Sequence, residues 1–247
     1  MLKTYTVKLT LRILIFISFI YVYIRHPYMI DMAFSNEFGI KMIYFYVIWA
    51  VFMAGMLVHM NPRSDRTITI GSLKYHRLHY TPSKMQYTER EKEDFIRFSN
   101  RGALITFLAW MAVAVITGLL YYYKIIDARM LLLFTMFLYV CDLICVTAWC
   151  PFQFFMLKNK CCVNCRIFNW DYAMMFTPLI FIKSAFTWSL VAVSVITALS
   201  WEISWKKHPE RFWHRTNSNL QCKNCKEKLC KIKKPYLKNP IMYEKKS

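Results

Sequence analysis

The stretch AMMFTPLIFIKSAFTWSLVAVSVITALS, residues 173–200, decides which fold the sequence predicts. It is mostly apolar, and Thr177-Pro178 and Lys183-Ser184 interrupt it. Extended to residue 205 and built as one helix, it would be about 48 Å long, whereas a bilayer core is about 30 Å thick. Two full crossings would need about 40 residues. The stretch is therefore long for one span and short for two.

Four further apolar blocks place the chain among helical membrane proteins. They are residues 9–24, 40–58, 103–123 and 130–157, each near or above the roughly 18 residues with which a helix crosses hydrocarbon. The composition agrees, because 57% of the residues are hydrophobic, 17% are aromatic and only 5 are Gly. The first block is interpreted as a retained span, since it is long and aromatic and lacks a small-residue cleavage motif before Pro27.

The basic residues indicate the side on which each connection lies. The net charge is +19, and Lys and Arg concentrate in residues 59–102, 158–172 and 206–247. Basic connections stay in the cytoplasm, which also places the amino terminus there. If the last stretch crossed the membrane once, Lys and Arg would be divided almost evenly between its two sides. If the stretch enters and returns on one face, most Lys and Arg lie on the cytoplasmic side. A single long tilted helix, with the tail outside, is the alternative.

The predicted fold is an all-α integral membrane protein of the cell membrane. Its bundle has four full spans and a fifth long, broken or re-entrant apolar segment, with a cytoplasmic Cys-rich module. The organisation runs through the first two spans (1–58), a basic segment with a helix leading into span three (59–102), spans three and four (103–157), a Cys-rich loop (158–172), the last apolar segment (173–205) and a basic Cys-rich tail (206–247). Thr88-Glu89-Arg90-Glu91 has the pattern of a capping box and predicts where the helix before span three begins.

Six of the nine cysteines form two compact groups that flank the last apolar segment. They are Cys161, Cys162 and Cys165, then Cys222, Cys225 and Cys230. Each group contains a Cys-x2-Cys pair, which aims two thiolates at one ion at about 2.3 Å. Cytoplasmic thiols stay reduced, which favours metal over disulfides. We expect a site made of Cys162, Cys165, Cys222 and Cys225, with Cys161 and Cys230 as alternative ligands. Zinc and an iron–sulfur cluster both fit, and unrelated thiols are the competing interpretation.

Ionisable and thiol groups also lie within the predicted spans. Cys141 and Cys145 share one face of span four beside Asp142, and Cys150 follows them. A charged group at mid-depth costs about 3 kcal/mol, so we expect Asp142 to pair with Lys183 inside the bundle. The thiols are predicted either to relay a soft metal ion or to pack as small apolar groups.

Three functions follow from these features. The first is membrane-linked redox or electron transfer through the thiolate site, with a redox partner protein. The second is a soft-metal ion transporter that uses Cys141, Asp142, Cys145 and Cys150. The third is a non-catalytic scaffold whose zinc clamp orders the tail. Nucleic acid is not expected, because residues 222–235 lack the His and fourth Cys of a zinc knuckle; the lysines are expected to contact anionic headgroups. No phosphate-binding loop, nucleophile elbow or zinc-protease motif occurs.

Overall fold

The structure is a computed structural model that describes residues 2–34, 43–60, 74–159 and 165–224. These residues are helical and form no β-strand. The α-helices are α1 (Leu2–Arg25), α2 (Pro27–Phe34), α3 (Ile43–Met60), α4 (Glu89–Tyr122), α5 (Ala128–Thr147), α6 (Asp171–Phe176) and α7 (Ala185–Lys207). Turns of 3-10 helix lie at Arg77–His79, Phe168–Trp170, Thr177–Phe181, Pro209–Phe212, Ser218–Leu220 and Cys222–Asn224, and a π-helix lies at Phe152–Leu157.

Four of these helices, α1, α4, α5 and α7, are long and apolar enough to cross a membrane. They support the prediction of a multi-pass helical membrane protein. The second predicted span corresponds to the apolar helix α3, whose described part has 18 residues, and the last apolar stretch contains helix α7.

Helix directions follow from side-chain pairs along the bundle. Helices α1 and α5 are antiparallel, since Arg12 binds Asp142 and Phe16 packs on Phe137 with ring centroids 6.2 Å apart. Helices α4 and α5 are joined by residues 123–127, so α5 returns to the end of the bundle at which α4 begins. Helix α1 therefore begins at that same end.

The last apolar stretch runs to the opposite end of the bundle and comes back. Its first part follows α4, because the indole of Trp110 donates to Thr177 Oγ1 at 3.0 Å and Phe181 packs against Gly118. The helical structure is interrupted at residues 182–184. Helix α7 then runs back towards the start of α4, where the Trp205 indole donates to Asn100 Oδ1 at 3.0 Å. Both ends of the stretch lie at one end of the bundle.

Helix α3 runs parallel to α7. The Trp49 indole donates to Ser189 Oγ at 2.9 Å, and the Trp201 indole donates to the His59 carbonyl at 3.2 Å. The described parts of the chain thus pass along the bundle six times, in α1, α3, α4, α5 and α7 and in the short path of residues 171–181, which we call the outward path. We call the end that holds Leu2 and the tail the capped end, and the other the far end.

The outward path needs few residues because much of it is 3-10 helix, which rises about 2.0 Å per residue against 1.5 Å in an α-helix. Pro178 suits the first turn of Thr177–Phe181, where its missing N–H is not needed. At these values residues 171–181 rise about 19 Å, which is less than a bilayer core of about 30 Å. The return is longer, because α7 extends to Lys207.

The fourth predicted span is shorter than expected. Helix α5 ends at Thr147, and residues 148–151 separate it from the π-helix Phe152–Leu157. This π-helix packs on α4 at Gly102, where an added Cβ would lie 3.0 Å from Leu157 Cδ2 and 3.2 Å from the Met156 carbonyl oxygen.

The capping box at the start of α4 is confirmed. The Glu91 amide donates to Thr88 Oγ1 at 3.3 Å, and the Thr88 amide donates to Glu91 Oε2 at 2.9 Å. The helix then continues without a break to Tyr122. The prediction that one helix joins the basic segment to the third span is therefore correct.

Gly118 provides a test of the outward path. A Cβ at this position would lie 2.6 Å from Phe181 Cζ, so Gly118→Ala should force the ring away and lower stability by about 1–3 kcal/mol. Phe181→Leu in the same chain should recover part of the loss. Thermal unfolding of the two single variants and the double variant in detergent measures this coupling. Additive effects of the two substitutions would show that the ring and the helix are not in contact.

Candidate functional site

The tail after α7 folds onto the segment before α4. The Ser83 amide donates to the Thr216 carbonyl at 2.9 Å, and the Ser218 amide donates to the Thr81 carbonyl at 2.8 Å. These two bonds join the chain segments in antiparallel orientation around a single β-bridge between Pro82 and Asn217. Residues 74–91 and 208–224 therefore form one unit, which we call the cap.

Asn217 is the polar centre of the cap and is fully buried. Its Nδ2 donates to the Lys74 carbonyl at 3.0 Å and to the Arg211 carbonyl at 2.7 Å. Its Oδ1 accepts from the Asn219 amide at 3.1 Å. One side chain thus satisfies groups from both halves of the cap, and a buried carbonyl that loses its donor costs about 1–3 kcal/mol.

Aromatic rings fill the space between the cap and the bundle. Tyr75 stacks on Phe212 with centroids 4.6 Å apart, and Phe95 stacks on Trp213 at 5.3 Å. Trp201, Trp205 and Leu220 complete this buried cluster. Trp201 and Trp205, which a single tilted helix would place at a membrane interface, are instead inside the protein.

Two polar contacts close the rim of the cap. Arg215 binds Glu91 with Nη1 2.7 Å from Oε1, and Tyr80 donates its hydroxyl to the Thr216 carbonyl at 3.3 Å. Partial burial, together with the nearby Glu210 carboxylate, raises the pKa of Tyr80 above its usual value. Its hydroxyl thus stays protonated, and able to donate, at neutral pH.

The loop that carries Cys165 is fastened to the end of α7. Arg166 Nη1 lies 2.6 Å from Glu202 Oε1, and the Trp170 indole donates to the same oxygen at 2.7 Å. The Arg166 guanidinium also lies 4.3 Å from the centroid of the Trp205 ring. A carboxylate shared by an arginine and an indole holds the residue next to Cys165 in place.

Of the predicted metal ligands, Cys165 and Cys222 are described. Cys165 is buried in an apolar cluster with Ala103, Leu157 and Ile167, whereas Cys222 is exposed on the cap. Phe168 contacts both this cluster and the aromatic cluster of the cap. Cys161, Cys162, Cys225 and Cys230 lie outside the described residues. Within the described part of the chain, no three His, Cys, Asp or Glu side chains form a group that could hold a metal ion.

The thiols of the fourth predicted span lie close together. Cys141 and Cys145 lie one turn apart on α5, and Cys150 follows that helix, which ends at Thr147. Cys145 and Cys150 interact with each other. All three are partly buried and are not in disulfides.

The expected pairing of Asp142 with Lys183 is wrong. Asp142 Oδ2 lies 2.7 Å from Arg12 Nη1, which also donates to the Tyr139 carbonyl at 2.7 Å. Lys183 is exposed at the break before α7, at the far end of the bundle. Arg12 lies inside α1, within the first apolar block of the sequence. Its position within an apolar helix is the signal that could have identified the partner of Asp142.

A second polar group near the capped end was not expected from the sequence. His59 Nε2 and Asn169 Oδ1 are 3.0 Å apart, and both residues are buried. Beside them, Asp171 Oδ1 is buried without a hydrogen-bond donor among the described residues. The Tyr172 hydroxyl reaches the α3 backbone, since a Cβ on Gly55 would lie 3.0 Å from it. These groups fix the start of the outward path against α3.

No protein-family model matches this chain, and no curated protein or solved structure shows significant similarity to it.

Replacing Asn217 by Ala should loosen the cap, because two carbonyls and one amide lose their partner together. We expect a loss of about 2–3 kcal/mol, seen as faster hydrogen exchange in residues 74–91 and 208–224. The matched control is Asn224→Ala, since Asn224 is exposed and its side chain donates to Ser218 alone among the described residues. Equal exchange in the two variants would contradict a central role for Asn217.

Breaking the Arg12–Asp142 pair should leave one charge unpaired within the bundle. Arg12→Leu and Asp142→Leu should each lower membrane expression and cost about 3 kcal/mol, whereas the double variant should recover most of the loss. Arg129→Leu is the control, since its pair with Asp31 is 36% and 54% exposed and such pairs contribute at most about 1 kcal/mol. A double variant no more stable than the weaker single variant would argue against the pair.

Proposed function

We propose that the chain is a multi-pass protein of the cell membrane whose capped end faces the cytoplasm and carries a thiolate metal site. The observation that supports this most strongly is the contact between the tail and residues 74–91. Cys165 and Cys222, one from each Cys-x2-Cys pair, lie at the same end of the bundle. A site shared by Cys162, Cys165, Cys222 and Cys225 requires that arrangement.

The distribution of charge supports the orientation. The basic segments that the sequence assigns to the cytoplasm are 59–102, 158–172 and 206–247, and their described parts meet at the capped end. The far end has fewer basic groups among its described residues, and Arg129 there is paired with Asp31. The positive-inside rule then favours a cytoplasmic cap that rests near anionic headgroups.

The backbone next to Cys165 is held in place, which favours a metal ligand at this position. The Arg166–Glu202 pair and Phe168 hold the neighbouring backbone against α7 and the cap, so a ligand at Cys165 would be presented from a rigid base. Cys222 is exposed, so its thiol is accessible to a metal ion and to ligands from another segment of the chain. When bound, zinc would tie the loop to the tail, and an iron–sulfur cluster would add one-electron chemistry.

For the protein with an iron–sulfur cluster at this site, we propose membrane-linked electron transfer to a partner protein. The scaffold function has its own support, because Asn217 and the aromatic cluster already order the tail and a zinc ion would extend that clamp. Soft-metal transport through span four is less favoured. Asp142 is held by Arg12 and so is not poised to receive a cation.

Metal analysis tests the site directly. Protein purified without oxygen should hold zinc or iron in fixed proportion, and Cys162→Ser, Cys165→Ser, Cys222→Ser and Cys225→Ser should each lower occupancy, because a closed tetrahedral site needs all four ligands. Cys141→Ser is the matched control and should keep full occupancy. Absorption near roughly 400 nm would indicate a cluster, and colourless zinc the scaffold. Full occupancy in both Cys162→Ser and Cys225→Ser would remove the proposal.

A further inference from the structure

An apolar cavity lies in the half of the bundle away from the cap. Its empty space is about 630 Å³, a figure that includes the solvent at its open mouth. Helices α1, α3, α5 and α7 and the outward path contribute its walls, with Phe19, Trp49, Leu132, Leu179 and Leu190 among the lining residues. Phe52 and Phe176 close it towards the capped end, where Phe52 also packs on Tyr139 at 5.1 Å.

Three polar groups in the described wall are already hydrogen-bonded within the protein. Thr135 donates to the Leu131 carbonyl at 3.0 Å, and Thr187 donates to the Ile182 carbonyl at 2.8 Å. The Trp49 indole donates to Ser189. Among the described lining residues, an occupant therefore meets mainly hydrocarbon and aromatic surface. This chemistry fits an alkyl chain and disfavours a polar head.

Lys183 is an exposed basic side chain at the far end of the bundle, and within the described residues it takes part in no ion pair. It lies three positions before Phe186, which lines the cavity. Arg129 lies three positions before the lining residue Leu132, but it is paired with Asp31. A lysine there attracts a phosphate, so the charge and the cavity suit the two parts of one amphiphile.

We propose that this cavity binds one acyl chain of an anionic phospholipid from the outer leaflet, and that Lys183 contacts its phosphate. The proposal depends on the bilayer placement of the bundle but not on the metal site, so the two can fail separately. It also gives Lys183 a partner that the protein itself does not supply in the described part of the chain. The bound chain would fill the space between the outward path and α3.

The test uses the full chain in nanodiscs of phosphatidylglycerol or phosphatidylcholine whose acyl chains carry a photoactivatable diazirine. After illumination, mass spectrometry should find adducts on lining residues such as Trp49, Leu132 and Leu190. Leu190→Trp should lower them by at least about tenfold by filling the cavity. Ile196→Trp on the exposed face of the same helix is the control and should leave them unchanged.

The headgroup contact is tested with Lys183→Gln, which changes an exposed side chain and leaves the cavity intact. Wild-type protein should give about fivefold more lining adducts with phosphatidylglycerol than with phosphatidylcholine, and the variant should lose that preference. Adducts confined to outward-facing residues such as Val195 would overturn the cavity proposal, even if Leu190→Trp did not fold. A preference for phosphatidylglycerol that survives in Lys183→Gln would overturn the role of the lysine.

Discussion

The contact between the tail and residues 74–91 constrains the rest of the structure. The bonds of Ser83 with Thr216 and of Ser218 with Thr81 can form only if α7 ends at the end of the bundle where α4 begins. The chain must therefore traverse the bundle an even number of times between those two points. With α4, α5 and α7 accounting for three traverses, a fourth is required. The short path through α6 and Thr177–Phe181 supplies it.

Two pairs of oppositely charged side chains lie where the described residues are shielded from water. Arg12 and Asp142 pair between α1 and α5, and Arg166 and Glu202 pair between the Cys165 loop and α7. Such pairs add little net stability, but the loss of one member is costly, so they favour a single arrangement of the helices over alternatives. The same reasoning explains why Lys183, which lacks a protein partner among the described residues, lies at an exposed break.

Sequence reasoning identified the elements that depend on local chemistry. The capping box at Thr88 and the long helix that follows it depend on hydrogen bonds between residues close in sequence. The apolar blocks indicated the membrane class, and the interruptions at Pro178 and Ser184 correspond to a 3-10 helix and to the start of α7.

What the sequence missed depends on contacts between distant segments. Arg12 is 130 positions from its partner Asp142. The direction of the outward path is set by its contacts with Trp110 and Gly118 in α4, which no local pattern around Pro178 indicates. Asn217 organises the cap, yet it lies in the polar tail. The tail has no periodic pattern of apolar residues from which the burial of Asn217 could be predicted. The metal proposal rests on the Cys-x2-Cys spacing in the sequence and on the position of Cys165 and Cys222 at one end of the bundle.

The most direct measurement of the central claim is the sidedness of three lysine positions. Lys84 in the segment before α4, Lys223 in the tail and Lys183 at the far turn are all exposed, and each is replaced in turn by Cys. Intact cells are treated with a membrane-impermeant thiol reagent, and the modified residue is located by mass spectrometry. The account predicts that Lys183→Cys reacts in intact cells, whereas Lys84→Cys and Lys223→Cys react only after the cells are opened. A tail position that reacts from outside while Lys84→Cys stays protected would contradict it.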